Sequence, residues 1–444
     1  MTKTIDSIQL PKFIQTVNSI LNPIETLKKA TKYGDVFAAK FIGFQDTIVI
    51  SDPKIIEAIF TTDPKKFTSA EGNKILKSLL GDYSLLLHDG AYHQSQRKLL
   101  TPPFHGERMR NYGHLMCDIT KQVFSQLQPG EKFIARKLTQ EISLTIILKT
   151  VFGLTTGNRY EEIKSLVKEW LDTINSPLKS SFMFFKLLQI DLGPWSVWGK
   201  FQRKKQRIYQ LLLEEINLRK NGDIPLGDDV LSLMMSAKDE SGNGMTDAEL
   251  SDELMTLLFA GHETTATALS WALYWIHHIP EVKEKLLQEI NNLPENADIN
   301  DMAKLPYLTA VCNETLRIYP VVLFTLPRIV QETMIIMDYE FQKGTMLSPC
   351  IYLTHHREDI YPQSDKFKPE RFLERQYSPY EFFPFGGSNR KCLGMAFANF
   401  EMKLVLGTIL KNYDLKLGEN QGIKPLRRGV TMCPSNGVNM IFNS

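Results

Sequence analysis

The sequence is poor in cysteine and has no long uninterrupted apolar run. Its five cysteines are an odd number, are scattered through 444 residues and include no C-x-x-C pair. This excludes a disulfide framework and a structural zinc site of the usual spacing, and it favours a reducing compartment, the cytoplasm. Charges and Pro11 interrupt the N-terminal apolar stretches, and no segment reaches about 18 apolar residues. We therefore expect neither a secretion signal nor a transmembrane anchor.

An excess of charge of either sign is also missing. The chain has 52 Lys and Arg residues against 50 Asp and Glu residues, which argues against nucleic acid as a partner. The length of 444 residues exceeds the roughly 250–300 residues usual for one core, but no repeat, low-complexity tract or linker divides the chain. We expect one large domain over residues 1–444, and a monomer. The amphipathic stretch from Phe13 to Leu27 leaves contact with a membrane surface open.

Periodicity predicts a mainly helical chain with a smaller β-containing part, the α+β class. Residues 35–51 alternate apolar and polar side chains around a turn, which is typical of a hairpin, and Asp52 and Pro53 then begin a helix. The longest helix runs over residues 247–279, up to Pro280. We expect β-rich parts mainly at residues 34–66, 328–350 and 414–444, and helical parts mainly at residues 90–320 and 393–413.

The segment FGGSNRKCLG, which runs from Phe385 to Gly394, has the strongest chemical signature. Its adjacent glycines allow a tight turn and close approach of the backbone to a flat ligand. Cys392 then precedes a helix, whose dipole and free N–H groups favour a thiolate, a good ligand for iron. Arg390 can pair with a carboxylate of such a ligand. The alternative for an isolated cysteine is a small buried apolar residue.

This segment resembles the cysteine-ligand loop of the cytochrome P-450 superfamily, F-x-x-G-x-R-x-C-x-G. Phe385, Arg390, Cys392 and Gly394 match, whereas Ser388 stands where the pattern has glycine. The resemblance implies the cytochrome P-450 fold, with haem b (iron protoporphyrin IX) between the long helix and this loop. It also implies that Cys392 is the axial ligand of the iron and that Phe385 belongs to the cofactor site. The details look most like soluble cyanobacterial members, which act on long-chain fatty acids and sesquiterpenes.

The long helix contains a second matching motif, AGHETT, over residues 260–265. The Thr264 hydroxyl can bond to the carbonyl of Ala260 and loosen the helix there. The resemblance implies that Ala260 lies beside the haem and that Thr264 and Glu263 position water and deliver protons during catalysis. The histidine before Glu263 hints at the H-E-x-x-H motif, but Ala266 stands at the second histidine position, so a zinc protease is excluded.

Two further motifs concern charged pairs. Glu314 and Arg317 lie on one helix face at i and i+3, which alone predicts a solvated pair. The resemblance implies instead a buried network, completed by Arg371 of the PERF motif, that holds the loop leading to the ligand cysteine. Its role is structural rather than catalytic.

Basic residues from separate segments are the expected haem clamps. His93 and Arg97 lie one turn apart on a helix, and the resemblance implies that they bind the haem propionates together with Arg328 and Arg390. For His93 alone, a surface histidine is the alternative. The tandem histidines at 277–278 and 355–356 have no partner at ligand spacing and are expected to be ordinary helix-end or loop residues.

The substrate pocket is expected above the haem, on the face of the long helix that contains Thr256, Phe259, Ala260 and Thr264. Leu323 and Phe324, which follow the E-x-x-R helix, are its other expected walls, so an apolar substrate is predicted. The loops at 69–87 and 176–198 are rich in apolar residues. They also hold lysines that either anchor a carboxylate or are simply solvated: Lys74, Lys77 and Lys186.

The resemblance implies a monooxygenase that inserts one oxygen atom from O2 into a hydrophobic substrate, a long-chain fatty acid or a sesquiterpene or other terpenoid. The chain has no G-x-G-x-x-G loop, so we expect electrons from a ferredoxin or flavodoxin with a separate NAD(P)H-dependent reductase. A basic patch could receive this donor: Arg97, Lys98, Arg108, Arg110 and Lys391. The alternatives are a peroxygenase or rearrangement enzyme and a non-catalytic haem sensor; Glu263 and Thr264 argue against both.

Overall fold

The computed structural model describes residues 2–43, 45–104, 106, 108–154, 157–175, 188–294, 296–418 and 422–444. Helices dominate the chain, and they are α1 (Lys12–Leu21), α2 (Pro23–Ala30), α3 (Pro53–Thr61), α4 (Lys77–Leu80), α5 (Gly90–Leu100), α6 (Arg108–Phe124), α7 (Ala135–Phe152), α8 (Asn158–Asn175), α9 (Val197–Lys220), α10 (Val230–Ser236), α11 (Asp247–His278), α12 (Pro280–Asn291), α13 (Ile299–Lys304), α14 (Pro306–Ile318), α15 (Ile351–His355), α16 (Arg371–Glu374) and α17 (Met395–Asn412).

The strands are short. They are β1 (Asp6–Ser7), β2 (Val36–Ala39), β3 (Thr47–Ile50), β4 (Phe67–Thr68), β5 (Lys132–Ile134), β6 (Arg328–Val330), β7 (Met334–Ile336), β8 (Tyr339–Phe341), β9 (Met346–Pro349), β10 (Leu415–Leu417), β11 (Pro425–Arg428), β12 (Thr431–Pro434) and β13 (Asn439–Phe442). The prediction of a mainly helical fold with a smaller sheet part is confirmed.

Local sequence signals explain where the key helices begin. The Asp52 carboxylate accepts hydrogen bonds from the N–H groups of Lys54 (2.7 Å) and Ile55 (3.4 Å) at the start of α3. Thr246 and Glu249 form a reciprocal capping box at the start of α11. The helix ends at His278, two residues before Pro280. These signals fix the position of α11 along the chain.

Helix α11 is the centre of the helical part. It has 32 residues, or about 48 Å of length, and it packs against α7, α17, α14 and α12. Leu254, Leu258, Leu269 and Trp271 on it are fully buried in the main apolar cluster. Because these neighbours cover α11 on most sides, its middle lies deep inside the protein.

The main sheet has the strand order β1-β2-β3-β9-β6-β4. The predicted hairpin is present, with Val36 opposite Ile50 in antiparallel register. Strand β3 then pairs in parallel with β9, far along the chain, and β9 pairs with β6, which carries Arg328. The sheet therefore places the segment around Arg328 beside the N-terminal hairpin.

The C-terminal strands form smaller sheets. Strand β13 pairs with β10 and with β5, and β11 pairs with β12. Strand β5 lies in the range that was expected to be mainly helical. Its three residues are extended because they pair with β13, about 300 residues later, and sequence periodicity cannot reveal such a partner. Among the described helices, none is both long and apolar enough to cross a membrane.

Candidate active site

The loop that carries Cys392 is held by backbone hydrogen bonds. The N–H of Cys392 donates to the carbonyl of Phe385 (2.9 Å), and the N–H of Gly386 donates to the carbonyl of Phe383 (2.9 Å). Gly387 packs so closely on Phe60 that a Cβ there would lie 2.3 Å from the ring. Only glycine fits at Gly387, and this brings the backbone of the loop against α3.

Ser388, the departure from the family pattern, has a left-handed backbone. Its φ is 60°, and Gly386 two residues earlier has a φ of 68°. Glycine adopts this conformation freely, whereas a residue with a Cβ is strained in it. The structure thus explains why the pattern has glycine here, and serine keeps the turn at a cost.

Cys392 lies two residues before Gly394, the N-cap of α17. Its side chain has accessible surface, but protein atoms surround it on most sides, and this burial raises the pKa of its thiol. The N–H of Gly394 and the cation of Arg97 act in the opposite direction. These two groups would stabilise the thiolate form that binds iron.

The middle of α11 has one accessible face. Ala260 is exposed and Phe259, Gly261 and Thr264 are half-buried, although Leu258 and His262 are buried, so one face of the middle of α11 is accessible. The hydroxyl of Thr264 donates to the carbonyl of Ala260 at 2.6 Å, as the sequence predicts. This side-chain bond places the alcohol at the accessible face of the helix.

The four expected clamps are close enough to influence one another electrostatically. His93, Arg328 and Arg390 are buried, and burial followed by the charges of Arg390 and Arg97 lowers the pKa of His93 to about 4. Burial and the charge of Arg390 likewise lower the pKa of Arg328 to about 10. Positive charge is thus concentrated in a poorly solvated place.

Buried polar atoms without partners show what this cluster lacks. In the described part of the chain, His93 Nδ1, Arg328 Nη1 and Arg390 Nε have no hydrogen-bond partner. Such atoms are costly unless a ligand or water satisfies them. A molecule with two carboxylates would do so, and the thiol, the glycine turn and the cations together fit haem.

Asp89 is a site residue that sequence reasoning missed. It precedes α5, accepts hydrogen bonds from the N–H groups of Ser69 (3.1 Å) and Ala70 (3.0 Å) and from the Thr68 hydroxyl, and pairs with Arg390. Burial alone would raise the pKa of Asp89, but these hydrogen bonds outweigh it and lower the pKa. Asp89 therefore fixes the orientation of Arg390, and nothing in its local sequence signals that role.

Glu263 does not lie at the Ala260 face. Its carboxylate is buried, pairs with Arg136 on α7 and accepts a hydrogen bond from the Gln140 amide at 2.8 Å. Sequence reasoning missed Arg136 because its partner is more than a hundred residues away. In this position the carboxylate is neutralised and separated from the hydroxyl of Thr264.

The expected three-member network is present and buried. Arg317 donates from Nε and Nη2 to the two oxygens of Glu314 (2.7 and 2.9 Å), and Arg371 Nε donates to Glu314 Oε1 at 3.2 Å. Arg317 also donates to the carbonyl of His355 at 2.8 Å. The network thus connects α14 to the segment before the cysteine loop.

His355 lies at a helix end, one of the two expected positions, but its environment is not that of an ordinary helix-end residue. It is fully buried at the end of α15, and its Nε2 accepts the N–H of Phe383 at 3.1 Å. Burial, followed by the charge of Arg317, holds the pKa of His355 well below its usual range. A neutral histidine therefore links the Glu314 network to the residue that anchors Gly386. The tandem histidine pair was noticed in the sequence, but its burial was not.

The residues expected to line the pocket are either apolar or, in the case of Thr256, already have a hydrogen-bond partner within the protein. Leu323 is buried, Phe259 and Phe324 are half-buried, and the Thr256 hydroxyl bonds to that of Ser84 at 2.8 Å. Of the lysines considered as anchors, Lys77 pairs with Asp82 at 2.8 Å and Lys74 is exposed. Lys186 and residues 176–187 of its loop lie outside the described residues.

Glu253, one turn before Thr256, is a buried acid that the sequence did not bring to attention. Its Oε1 accepts the N–H of Leu85 at 2.7 Å. Burial is the main cause that raises the pKa of this carboxyl to about 8. Glu253 is therefore mostly protonated at neutral pH.

Comparison with known proteins identifies the family of the chain. The cytochrome P450 family model matches residues 15–442. Cytochrome P450 135B1 of Mycobacterium tuberculosis (strain ATCC 25618 / H37Rv) is 33% identical over 421 residues, which cover 92% of this chain and 84% of the relative. Cytochrome P450 138 of Mycobacterium bovis is 29% identical over 439 residues, which cover 98% of this chain and 95% of the relative.

Among solved structures, cyanobacterial CYP120A1 with bound retinoic acid superposes with a TM-score of 0.84 at 25% identity. The match covers 100% of this chain and 99% of that chain. The motifs, the fold and these matches agree over almost the whole sequence. The chain therefore belongs to the cytochrome P450 family.

Proposed function

We propose that this cytochrome P450 monooxygenase oxidises a hydrophobic substrate, either a terpenoid or a long-chain fatty acid. The observation that carries the proposal is the apolar character of Phe259, Leu323 and Phe324, the residues assigned to the pocket beside Ala260. Aliphatic and aromatic side chains favour substrates that bury apolar surface. The bound haem supplies the oxygen-activating chemistry.

An uncharged terpenoid is the favoured substrate class. Lys77 is already paired with Asp82, which leaves Lys74 as the described lysine able to anchor a fatty-acid carboxylate. The retinoic acid bound to CYP120A1 combines a terpenoid carbon skeleton with a carboxyl group, so this related structure supports the terpenoid class but not the absence of a charge.

Residue roles follow from the placement of the side chains. Cys392 is the proposed axial ligand, and His93, Arg97, Arg328 and Arg390 are the proposed clamps of the two propionates. The buried atoms without a partner on His93, Arg328 and Arg390 support this assignment. Phe385 and Ala260 are proposed to contact the ring on its two sides.

Thr264 and Glu263 are the proposed proton-delivering pair. The Thr264 hydroxyl is in position at the Ala260 face. Glu263 is held by Arg136, so its carboxylate must leave that ion pair to pass a proton toward the threonine. Arg136 therefore sets how often the acid is available.

A ferredoxin or flavodoxin with a separate NAD(P)H-dependent reductase is the proposed electron source. Of the basic residues assigned to the docking patch, Lys98 pairs with Glu240 and Arg110 pairs with Asp298. Arg97 donates to the carbonyl of Lys391 at 2.6 Å. Arg97, Arg108 and Lys391 have no ion pair in the described part of the chain. Because Arg97 is already assigned to the haem propionates, Arg108 and Lys391 are the proposed contacts for an acidic donor.

An optical titration of the haem-loaded ferric protein tests the substrate class. A cyclic sesquiterpene and a long-chain fatty acid are added separately, and displacement of the iron-bound water is followed. We expect a saturable shift with the sesquiterpene in the wild type and in Lys74→Met alike. A shift with the fatty acid alone, abolished by Lys74→Met, would instead assign a lysine-anchored fatty-acid hydroxylase.

A further inference from the structure

Helix α1 has its polar side turned toward the protein and its apolar side toward solvent. Gln15 is only 2% exposed, although Phe13 is 65% and Leu21 is 64% exposed. A helix on the surface of a globular protein normally has the opposite orientation. The inversion indicates that something other than water covers the outer face.

The inward polar side chains are well bonded, so the inversion is built into the fold. Gln15 donates to the carbonyl of Leu10 at 2.7 Å and accepts the N–H of Lys40 at 2.9 Å. The Thr16 hydroxyl accepts the N–H of Ile42 at 3.0 Å, next to the tip of the β2–β3 hairpin. These bonds fix the rotation of α1 about its axis.

The outer side chains form one apolar stripe. Phe13 and Ile20, and likewise Ile14 and Leu21, are seven residues apart, which is about two helical turns. Exposed apolar residues on the bonded neighbours extend the stripe, because α1 contacts the hairpin tip through Thr16 and the β11–β12 hairpin through Ser19. We name the resulting surface the α1 patch, and its members are Leu10, Phe13, Ile14, Ile20, Leu21, Ile42, Leu426 and Val430.

The charged residues around the α1 patch indicate which kind of partner covers it. Residues 8–24, 40–43 and 422–430 contain no acidic residue, and their charged residues are Lys12, Lys40, Lys424, Arg427 and Arg428. A second copy of the chain would bring like charges together across a two-fold axis. An anionic lipid surface would instead pair with the exposed cations Lys12 and Lys424 while burying the apolar stripe.

We propose that the α1 patch docks the protein reversibly on an anionic membrane surface. The apolar cluster beneath the patch contains Ile24 and Phe41 and also Leu323 and Phe324. The docked face thus lies on the same side of the protein as Leu323 and Phe324, two of the proposed pocket residues. If the proposed function holds, a substrate dissolved in the bilayer would be presented on that side.

Vesicle sedimentation of the full haem-loaded chain tests the proposal. We expect binding to phosphatidylcholine vesicles that contain phosphatidylglycerol, and weaker binding as salt is added. Phe13→Ser with Leu21→Ser should lower the apparent affinity about tenfold or more. Lys12→Gln with Lys424→Gln should lower it about fivefold per lysine. The matched control, Leu226→Ser with Leu373→Ser, removes equally exposed apolar side chains from other surfaces and should bind like the wild type.

The haem spectrum of each variant shows whether it is folded, independently of any substrate. Absence of sedimentation with the anionic vesicles, or equal sedimentation of the Phe13 and Leu21 variant, would overturn the proposal. So would a dimer in analytical ultracentrifugation that this variant dissolves, because the face would then belong to a second copy of the chain.

Discussion

At the scale of single residues, Ser388 has a strained backbone conformation in the loop proposed to bind the cofactor. Its φ of 60° places it in the left-handed region. The turn it forms delivers Arg390 and Cys392 to their positions, and the hydrogen bond from Cys392 N–H to Phe385 closes the loop. The strain is thus compensated by the geometry it makes possible.

Ser388→Gly should stabilise the protein. Glycine adopts a positive φ without the clash of a Cβ, so the free energy of unfolding is expected to rise by up to about 1 kcal/mol. Urea denaturation of the haem-loaded protein measures the change. Gly386→Ala, which introduces a Cβ at a φ of 68°, should shift the midpoint in the opposite direction. A destabilised Ser388→Gly variant would mean that the serine side chain has a role not seen here.

Thr264→Ala tests the proton-delivering role. The change removes the hydroxyl at the Ala260 face but leaves the packing of α11 nearly intact. We expect NADPH consumption to continue while the ratio of product to NADPH falls about tenfold or more, because proton delivery is no longer directed. Thr264→Ser should restore most of that ratio. Unchanged coupling in the alanine variant would mean that Thr264 does not direct proton delivery, whereas absence of product in the wild type would favour a non-catalytic haem protein.

At the scale of elements, the helices with complete local signals were predictable. The predicted start of α11 at residue 247 matches the structure because Thr246 and Glu249 form a local start signal. Pro306 is a similar local signal at the start of α14. The network of Glu314 and Arg317 was predictable through the family motif, since i and i+3 spacing alone indicates only a solvated pair.

Features that depend on distant partners were not predictable. Strand β5 is extended because β13 pairs with it, Glu263 is held by Arg136, and Asp89 orients Arg390. Each of these contacts joins residues that are far apart in sequence. Spacing along one chain contains no information on which long-range partner is chosen, so only the folded structure reveals them.

Glu401 on α17 is an unusual buried acid. It is 0% exposed, and neither of its carboxyl oxygens has a hydrogen-bond partner among the described residues. Burial raises its pKa from 4.5 to about 8, against the weaker effect of the Ser143 hydroxyl. The carboxyl is therefore mostly protonated at neutral pH, and ionising it costs stability.

Glu401→Gln should make stability less dependent on pH. The proton on Glu401 stabilises the fold fully below pH 4.5, and this contribution is lost progressively as the pH rises through 8. Glutamine stays uncharged, so the variant should gain stability relative to the wild type between these pH values. Urea midpoints at several pH values measure the difference. In the exposed control Glu57→Gln the difference should stay near zero, and a flat difference for Glu401→Gln would contradict the assigned protonation.

At the scale of the whole molecule, different surfaces of the protein are proposed to bind different partners. Arg108 at the start of α6 and Lys391 in the cysteine loop are assigned to the electron donor, and the α1 patch to lipid. The near-neutral total charge of +2 conceals this separation, because composition does not show where charges lie.

Reversing the charge of the proposed donor-binding residues should slow the reduction of the haem by a ferredoxin. Arg108→Glu with Lys391→Glu reverses the charge of the two cations assigned to the donor contact, so the rate at low salt should fall about tenfold or more and depend less on added salt. Stopped-flow reduction of the haem measures it, with Lys343→Glu on another exposed turn as the control. Equal rates for both variants would place the donor elsewhere.

The central claim is that Cys392 binds the haem iron through sulfur. The most direct measurement is the optical spectrum of the ferrous carbonyl complex of the reconstituted protein, compared with that of Cys392→Ser. A thiolate donates charge strongly to the iron, so we expect the main absorption band of the wild type at distinctly longer wavelength and its loss in the variant. Identical spectra for the two proteins, or failure of the wild type to bind haem, would contradict the account.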